Sequence, residues 1–266
     1  MKRPRAPAAV RTGTPWGWAL GGALLGSVTC LLLVPPARWL TPALLHMSDG
    51  RVSLEDARGT FWDGSADLVL LGGTGSLDRA TLPSRLQWRL RPTGGGLKAN
   101  LMAPCCMEQP LLLEVALGAG TVRVVLADSQ SHWPASLVSG LGTPWNTLQP
   151  QGQLRLANNG LSVEWAAGRW AVAGRAQLDA VNISSRLSTL QPMGSYRITI
   201  QGGPTPTLAL ETTEGSLKLS GAGLWTGSRF RFDAVASTSP EHLDALSNLL
   251  NIIGRRDGAR SIIKVG

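Results

Sequence analysis

The sequence predicts a mainly β protein: an N-terminal single transmembrane helix followed by an antiparallel β-sheet domain of repeated strand units, with a C-terminal amphipathic helix and a final strand. Three observations support this prediction. Residues Trp16–Val34 form an uncharged apolar run, polar and apolar residues alternate through much of the remainder, and 32 glycines and 17 prolines interrupt the 266 residues. Alternation of period two is typical of half-buried strands, and frequent Gly and Pro favour turns between them.

The apolar run is long enough to cross a bilayer, because a helix rises about 1.5 Å per residue and the hydrocarbon core is about 30 Å thick. Lys2, Arg3, Arg5 and Arg11 precede it. The positive-inside rule therefore predicts a cytoplasmic N-terminus over 1–15, an anchor over 16–34 and an exported domain over 35–266. The anchor residues are Trp16, Trp18, Leu24, Leu31 and Val34. The alternative is a cleavable signal peptide, which the length of the run and the lack of a small-x-small site in VPPAR disfavour.

Strands are predicted wherever the alternation recurs between turn residues. The predicted strands are Arg51–Asp56, Ala66–Leu71, Arg85–Arg91, Leu97–Ala103, Leu111–Leu117, Thr121–Ala127, Gln153–Ala157, Leu161–Trp165, Arg169–Val181, Ser195–Gln201, Thr207–Glu211, Ser216–Ser220 and Arg229–Ala236. Their spacing favours an antiparallel sheet over βαβ units. An internal echo, LQPQG at Leu148–Gly152 and LQPMG at Leu190–Gly194, each followed by a strand, suggests two related β units dividing near 145.

Two stretches break the strand pattern. His132–Leu141 is predicted as a short helix, and Ser239, Pro240 and Gly254 supply the N-cap, first-turn and C′ residues of a second helix. On that helix Leu249, Leu250 and Ile253 belong to an apolar stripe, which most often packs on the body of a protein. Ser261–Val265 is predicted as the final strand.

The formal net charge of +8 does not indicate a nucleic-acid-binding protein. Four basic residues precede the apolar run, and the segment from Gly254 onward adds a net +3, so the residues between are nearly neutral. A basic strip with interleaved aromatic residues is not visible.

The cysteines predict no metal site, since His46, His132 and His242 are scattered and no second pair stands at ligand spacing. Cys30 lies within the apolar run. Cys105 and Cys106 are adjacent, so a disulfide between them would rigidify a turn, and pairing with another chain is the alternative.

The sequence offers no catalytic constellation, because no histidine lies in a recognisable signature with a nucleophile and G-x-S-x-G is absent. Asp63 and Gly64 read as turn residues, and Trp62 and Trp88 as residues that pack on a sheet face. We therefore predict a protein that is not an enzyme and has no cofactor. Residues with an expected interaction or structural role are Trp62, Gly64, Trp88, Leu249, Leu250 and Ile253.

Several segments together resemble one protein family. They are FWDGSADL at Phe61–Leu68, QWRLRP at Gln87–Pro92, the Cys105–Cys106 pair and SNLLNIIGRRDGARSIIKVG at Ser247–Gly266. With the short basic start and the anchor, they resemble protein N of the bacterial type II secretion system over nearly the whole chain. The resemblance implies an accessory inner-membrane subunit of a Gram-negative bacterium with a periplasmic β domain, which assists export of folded proteins across the outer membrane. It implies other inner-membrane subunits of that system as partners and carries no catalytic residues.

A more remote likeness, in pattern only, is to AsmA-type proteins, which share an N-terminal anchor and repetitive β segments and are associated with lipid handling. It implies the alternative function of a periplasmic β groove that binds lipid or other hydrophobic ligands. A third hypothesis, that the protein is a hydrolase, is not supported by any set of residues that could form a catalytic site.

Overall fold

The computed structural model describes residues 16–73, 75–227 and 229–266. The N-terminus predicted as cytoplasmic, 1–15, lies outside the described residues, as does the side chain of Leu31. Within the described residues the α-helices are α1 (Trp16–Leu33), α2 (Leu40–Met47), α3 (Trp145–Leu148) and α4 (Leu243–Ile253), with 3-10 turns at Ala37–Trp39, Ala135–Leu141 and Pro240–His242.

The rest of the described chain forms a single antiparallel sheet, which confirms the mainly β prediction. Its strands are β1 (Val52–Gly59), β2 (Asp63–Leu71), β3 (Arg79–Thr81), β4 (Leu86–Thr93), β5 (Gly96–Met102), β6 (Leu111–Gly118), β7 (Thr121–Leu126), β8 (Ser129–Pro134), β9 (Gln151–Ala166), β10 (Arg169–Ser184), β11 (Gly194–Gly203), β12 (Thr207–Gly215), β13 (Lys218–Thr226), β14 (Arg229–Ser237), β15 (Arg255–Asp257) and β16 (Arg260–Val265). The spatial order is almost the chain order, running from β1 through β2, β4–β7 and β9–β14 to β16 and β15, with β3 beside β2 and β8 beside β9. Neighbouring strands are thus mostly joined by hairpins, as alternation broken by turn residues predicts.

The transmembrane helix predicted over 16–34 is not found among the described helices. Within the described residues, none of the helices is both long and apolar enough to cross a membrane. The helix α1 nevertheless presents exposed apolar side chains, among them Trp16, Trp18, Leu24 and, just after it, Val34.

The two longest strands, β9 and β10, lie in the middle of the sheet. The two separate predictions Gln153–Ala157 and Leu161–Trp165 are one strand, β9, whose first half pairs with β8 and whose second half pairs with β7. At the break between β7 and β8, Asp128 Oδ1 accepts a hydrogen bond from the Gly160 N–H at 2.6 Å. Gly174 on β10 has φ +85° and leaves no room for a Cβ beside the Gly160 backbone. The sheet therefore continues across residue 145 through β9 without a break in strand pairing.

Three hydrophobic clusters cover parts of the apolar face of the sheet. The first packs Ala37 and α2 against Leu54, Trp88 and Leu90 near β1–β5. The second gathers Leu82, Cys106, Met107 and Leu137 beneath the 3-10 turn Ala135–Leu141. The third buries α4 against Met193, Tyr196, Leu217 and Ala236 at the other end of the sheet.

The predicted helix at His132–Leu141 is only partly helical, because His132 to Pro134 continue the pairing of β8 with β9 and the 3-10 turn begins at Ala135. The C-terminal helix is present, with Ser239 before the 3-10 turn that leads into α4. Gly254 directly follows the last residue of the helix and has an extended backbone with φ −176°. A Cβ on Gly254 would stand 2.5 Å from the Ile262 carbonyl oxygen, so glycine is required there by the close approach of β16.

Candidate interaction surfaces

The residues Trp62, Gly64 and Trp88 lie together at the start of the sheet, in the first hydrophobic cluster and its margin. Trp88 is 4% exposed and its indole N–H donates to the Phe61 carbonyl at 3.0 Å. Gly64 pairs with Trp88 across β2 and β4, and a Cβ there would lie 2.6 Å from the indole ring. Trp88 belongs to a packed core, and Trp62 and Gly64 are half buried at its edge.

A cluster of charged residues, which the sequence did not predict, lies beside this core. Asp56 has φ +46° in a β-bulge of β1, and Arg85 donates to its carbonyl oxygen at 2.6 Å and to its carboxylate at 2.9 Å. Arg85 also reaches Asp67 and the Ser65 carbonyl on β2. Hydrogen bonds from Arg58 and then Arg85 lower the pKa of Asp56 below its ordinary value. These hydrogen bonds hold the bulged edge strand β1 against β2.

Cys105 and Cys106 are joined by a disulfide in the turn between β5 and β6. Cys106 is 3% exposed in the second cluster, and its carbonyl accepts a hydrogen bond from the His132 N–H at 2.7 Å. Met107 forms a bridge with Ser131 on the same strand, β8. The disulfide turn therefore covers the side of β8 that faces away from β9, a contact that adjacent cysteines alone could not reveal.

The apolar stripe of α4 divides into buried and accessible parts. Leu249 and Leu250 are 3% and 0% exposed in the third cluster, whereas Ile253 is half buried at the end of the helix. Arg256 on β15 ties this helix to the sheet through hydrogen bonds to the Ser247 carbonyl and the Asn251 amide oxygen. Of the three stripe residues singled out by sequence, only Ile253 reaches a surface.

That surface is the C-terminal edge of the sheet, the stretch formed by Arg255–Asp257 and Arg260–Val265. β15 pairs with β16 only as far as Ile262, so nothing in the described chain pairs with the outer side of Ile263–Val265. A cleft of about 530 Å³ opens at this point. It is lined by Ile253, Gly254, Arg255, Ile262, Ile263 and Lys264.

A second surface lies in the middle of the sheet, where cross-strand pairs align Leu117, Val122, Trp165 and Trp170 on four neighbouring strands. We call this row the apolar ladder. Leu117, Trp165 and Trp170 are 61%, 37% and 69% exposed. None of the three hydrophobic clusters includes the ladder. The adjacent pair Arg123 and Glu164 points to the opposite face and forms an ion pair there.

Across 16–73, 75–227 and 229–266, no three His, Cys, Asp or Glu residues gather closely enough to hold a metal ion. The surfaces described above offer main-chain hydrogen-bonding groups, cations and apolar area, which suit binding.

A protein-family model described as type II secretion system (T2SS), protein N matches residues 50–263. No curated protein and no solved structure matches the chain.

Proposed function

The chain belongs to the protein N family of the type II secretion system, and from this premise we propose that it is a non-catalytic interaction subunit that assists export of folded proteins from the periplasm across the outer membrane. The observation that supports the proposal most strongly is the extent of the family match. It begins just before β1 and ends within β16, so it takes in every strand of the sheet except the last two residues of β16. In this proposal the sheet is the functional part of the molecule, and it binds other inner-membrane subunits of the secretion system.

The open architecture of the sheet is consistent with such a role. Edge strands with unpaired main-chain groups are natural sites for pairing with another chain. Here α2 packs on β1 at the first edge, where Thr41 Oγ1 donates to the Leu54 carbonyl at 2.9 Å, while at the C-terminal edge no described strand pairs with the outer side of Ile263–Val265.

The test is deletion of the gene in its native bacterium, with export of secreted enzymes as the readout and the full chain supplied in trans as the control. We expect reduced export and recovery on complementation. Cross-linking in native membranes should recover subunits of the secretion system with the wild-type chain. Normal export together with no cross-linked secretion subunit at native expression would contradict the proposal.

We also propose that the uncharged segment 16–34 attaches the chain to the inner membrane, with the N-terminus in the cytoplasm and the β domain in the periplasm. This placement is supported by the uncharged residues 16–34, the basic residues before them and the exposure of Trp18 and Leu24, at 87% and 71%. A periplasm-active reporter fused after Ala37 should be active, and the chain should stay in the membrane fraction after alkaline extraction. An inactive reporter would refute the orientation, and a soluble full-length chain would refute the attachment.

The apolar ladder favours a second candidate function, in which the face of the sheet binds the acyl chains of lipids. A row of large apolar side chains outside the packed clusters is an ordinary feature of a surface that binds hydrophobic ligands. The full chain should then carry lipid in native mass spectrometry, and Trp165→Ser with Trp170→Ser should remove it. If the chain purified from membranes carried no lipid, this second function would be refuted and only the interaction role would remain.

A further inference from the structure

We propose that the C-terminal edge of the sheet binds an extended partner segment in which acidic and apolar residues alternate, by adding that segment as a further strand beside β16. The inference deepens the proposed interaction role and rests on it. Its evidence is the direction of the main-chain groups, the distribution of charge and the cleft at this edge.

The main-chain groups at the outer side of β16 follow from the hairpin geometry. Gly258 and Ala259 form a two-residue turn, and the residues that flank such a turn, Asp257 and Arg260, exchange hydrogen bonds. The main-chain N–H and C=O of Arg260 therefore point to the side of β16 that faces away from β14. Main-chain groups that point to one side recur at every second residue, so those of Ile262 and Lys264 point to this outer side as well. The close approach of Gly254 to the Ile262 carbonyl oxygen agrees with this direction. The main-chain groups of Ile262 face β15, whereas the N–H and C=O of Lys264 lie beyond the end of β15.

The two faces of this edge differ in chemistry. On the face away from α4, Ile262 stands among the cations Arg255, Arg260 and Lys264, with Arg231 on the neighbouring strand and only Asp257 and Asp233 as acidic residues. Lys264 and Asp233 are 3.7 Å apart and about three-quarters exposed, and four cations against two carboxylates leave this face with a net positive charge. On the face towards α4 stand Ile263, Val265 and Ile253, of which Val265 is 52% exposed; on this face Ser261 is buried and Arg256 is bonded to α4.

An added strand sends successive side chains to opposite faces. One set would meet the cations and the other would meet Ile263, Val265 and the apolar wall of the cleft. The complementary segment therefore carries acidic residues at alternate positions and apolar residues between them. The cleft of about 530 Å³ provides room for its side chains where β15 ends.

The charge also argues against the simplest other occupant, a second copy of this edge. Edge-to-edge pairing of two copies would bring Arg255, Arg260 and Lys264 of both onto adjoining strands, and like charges across a sheet are destabilising. Charged residues on an edge commonly prevent such self-pairing. The same cations attract an acidic segment.

The experiment measures binding of the full chain, in detergent micelles, to a fluorescent peptide of alternating glutamate and valine. A peptide of alternating lysine and valine, and one with the glutamates and valines in two blocks, are the control probes. We expect saturable binding of the first peptide and at least about tenfold weaker binding of both controls, since charge and alternation are each required. Equal binding of all three peptides, or no binding of any, would overturn the inference.

Two substitutions at one position separate strand addition from charge attraction. Lys264→Pro removes the outward N–H together with the charge, whereas Lys264→Ala removes only the side chain. We expect the proline variant to bind the peptide about tenfold more weakly, because one hydrogen bond is lost and its partner group is left unpaired. The alanine variant should bind it about twofold more weakly. Equal losses would show that the peptide is held by charge alone. Arg255→Glu with Arg260→Glu should reverse the preference towards the lysine peptide.

Folding and self-association are checked on the same samples. Proline is tolerated on an edge strand where its missing N–H faces solvent, so the unfolding midpoint of Lys264→Pro should stay near that of Lys264→Ala. If it does not, amide hydrogen exchange of the wild-type chain decides: the peptide should protect Lys264 and leave the β1 edge unchanged. A dimer in sedimentation that Lys264→Pro dissolves would assign the edge to a second copy instead. Failure of the peptide experiment, together with reduced export after deletion of the gene, would refute this edge alone and leave the secretion role standing.

Discussion

Gly64 shows how a single residue that looks like a turn signal is fixed by packing. The sequence FWDG predicts Asp63 and Gly64 as turn residues, but both lie in β2, with Gly59 opposite Gly64, and the chain turns just before them. The closest neighbours of a Cβ at Gly64 would be the Trp88 ring at 2.6 Å and the Arg58 and Thr60 carbonyl oxygens at 2.7 Å and 2.8 Å. The last two are backbone atoms and cannot move aside without deforming the hairpin.

We therefore expect Gly64→Ala to lower the free energy of unfolding by about 1–3 kcal/mol, the usual range for overpacking a core. Gly94→Ala is the matched control, because a Cβ there meets nothing within 4 Å, and its effect should stay within about 0.5 kcal/mol. Urea unfolding followed by tryptophan fluorescence measures both. Equal stability of the two variants would contradict the packing account.

Asp179 carries a pH dependence that can be measured. Its carboxylate accepts a hydrogen bond from Arg197 Nε at 2.7 Å and another from Gln177, and these contacts lower its pKa below the ordinary value. Because the folded pKa is the lower one, the pair stabilises the fold above the pKa of the unfolded chain, and this contribution is lost as the pH falls through the folded pKa.

At pH 6 we expect Asp179→Asn to cost about 0.5–1 kcal/mol of unfolding free energy, a figure reduced for solvent screening because the two side chains are 26% and 39% exposed. The difference between wild type and variant should shrink towards zero as the pH falls through the folded pKa of Asp179. Asp233→Asn, which removes an exposed pair with Lys264 at 3.7 Å, is the control and should change the unfolding free energy at pH 6 by no more than about 0.5 kcal/mol. Unfolding curves at a series of pH values test this, and a constant difference down to acid pH would be the contrary result.

At the scale of elements, the amphipathic stripe of α4 predicts its own burial. Leu246, Leu249 and Leu250 face the third hydrophobic cluster, and Ile252 lies on the opposite side at 45% exposure. Spacing alone identified this stripe, but the surroundings of Gly254 at the end of the helix depend on β16, which folds back beside it through the β15–β16 hairpin.

Leu250→Ala should lower the unfolding free energy by about 2–5 kcal/mol, through lost burial and the cavity left behind. Ile252→Ala, on the exposed side of the same helix, should change it by no more than about 0.5 kcal/mol. Thermal or urea unfolding of the two variants gives the comparison. A similar loss for both would show that α4 is not packed on the sheet.

At the scale of the whole molecule, the internal echo predicts two β units, and the strand pairing gives the means to test that prediction. β9 lies after the expected division near 145, yet both β7 and β8, which lie before it, pair with β9. Separating the chain there would expose long unpaired strand edges on both pieces, which invites aggregation.

We expect fragments 35–148 and 149–266 to aggregate when each is produced alone, and to form a soluble complex when produced together. Size-exclusion chromatography and circular dichroism measure the outcome, with the intact 35–266 chain as the reference. Two fragments that fold separately would establish two independent units and contradict the dependence on β9.

The prediction of strands from sequence succeeded where a strand has one buried face, as in β4, β6 and β14, because alternation records that burial directly. It missed β3, β8 and β15, whose three to six residues are held by neighbours rather than by their own pattern. The interaction or structural residues chosen by sequence fall mostly in the core. The open C-terminal edge could not be predicted, because whether a strand is paired depends on a second strand and not on its own sequence.

The sequence by itself determined the mainly β class, the antiparallel hairpins, the buried stripe of the C-terminal helix and the family, because each is recorded in local periodicity or in a contiguous motif. Only the tertiary structure decided that the sheet is continuous, that the disulfide turn covers β8, and that Ile263–Val265 stay open beside a row of cations. These features depend on residues far apart in the chain meeting in space, which no local pattern specifies.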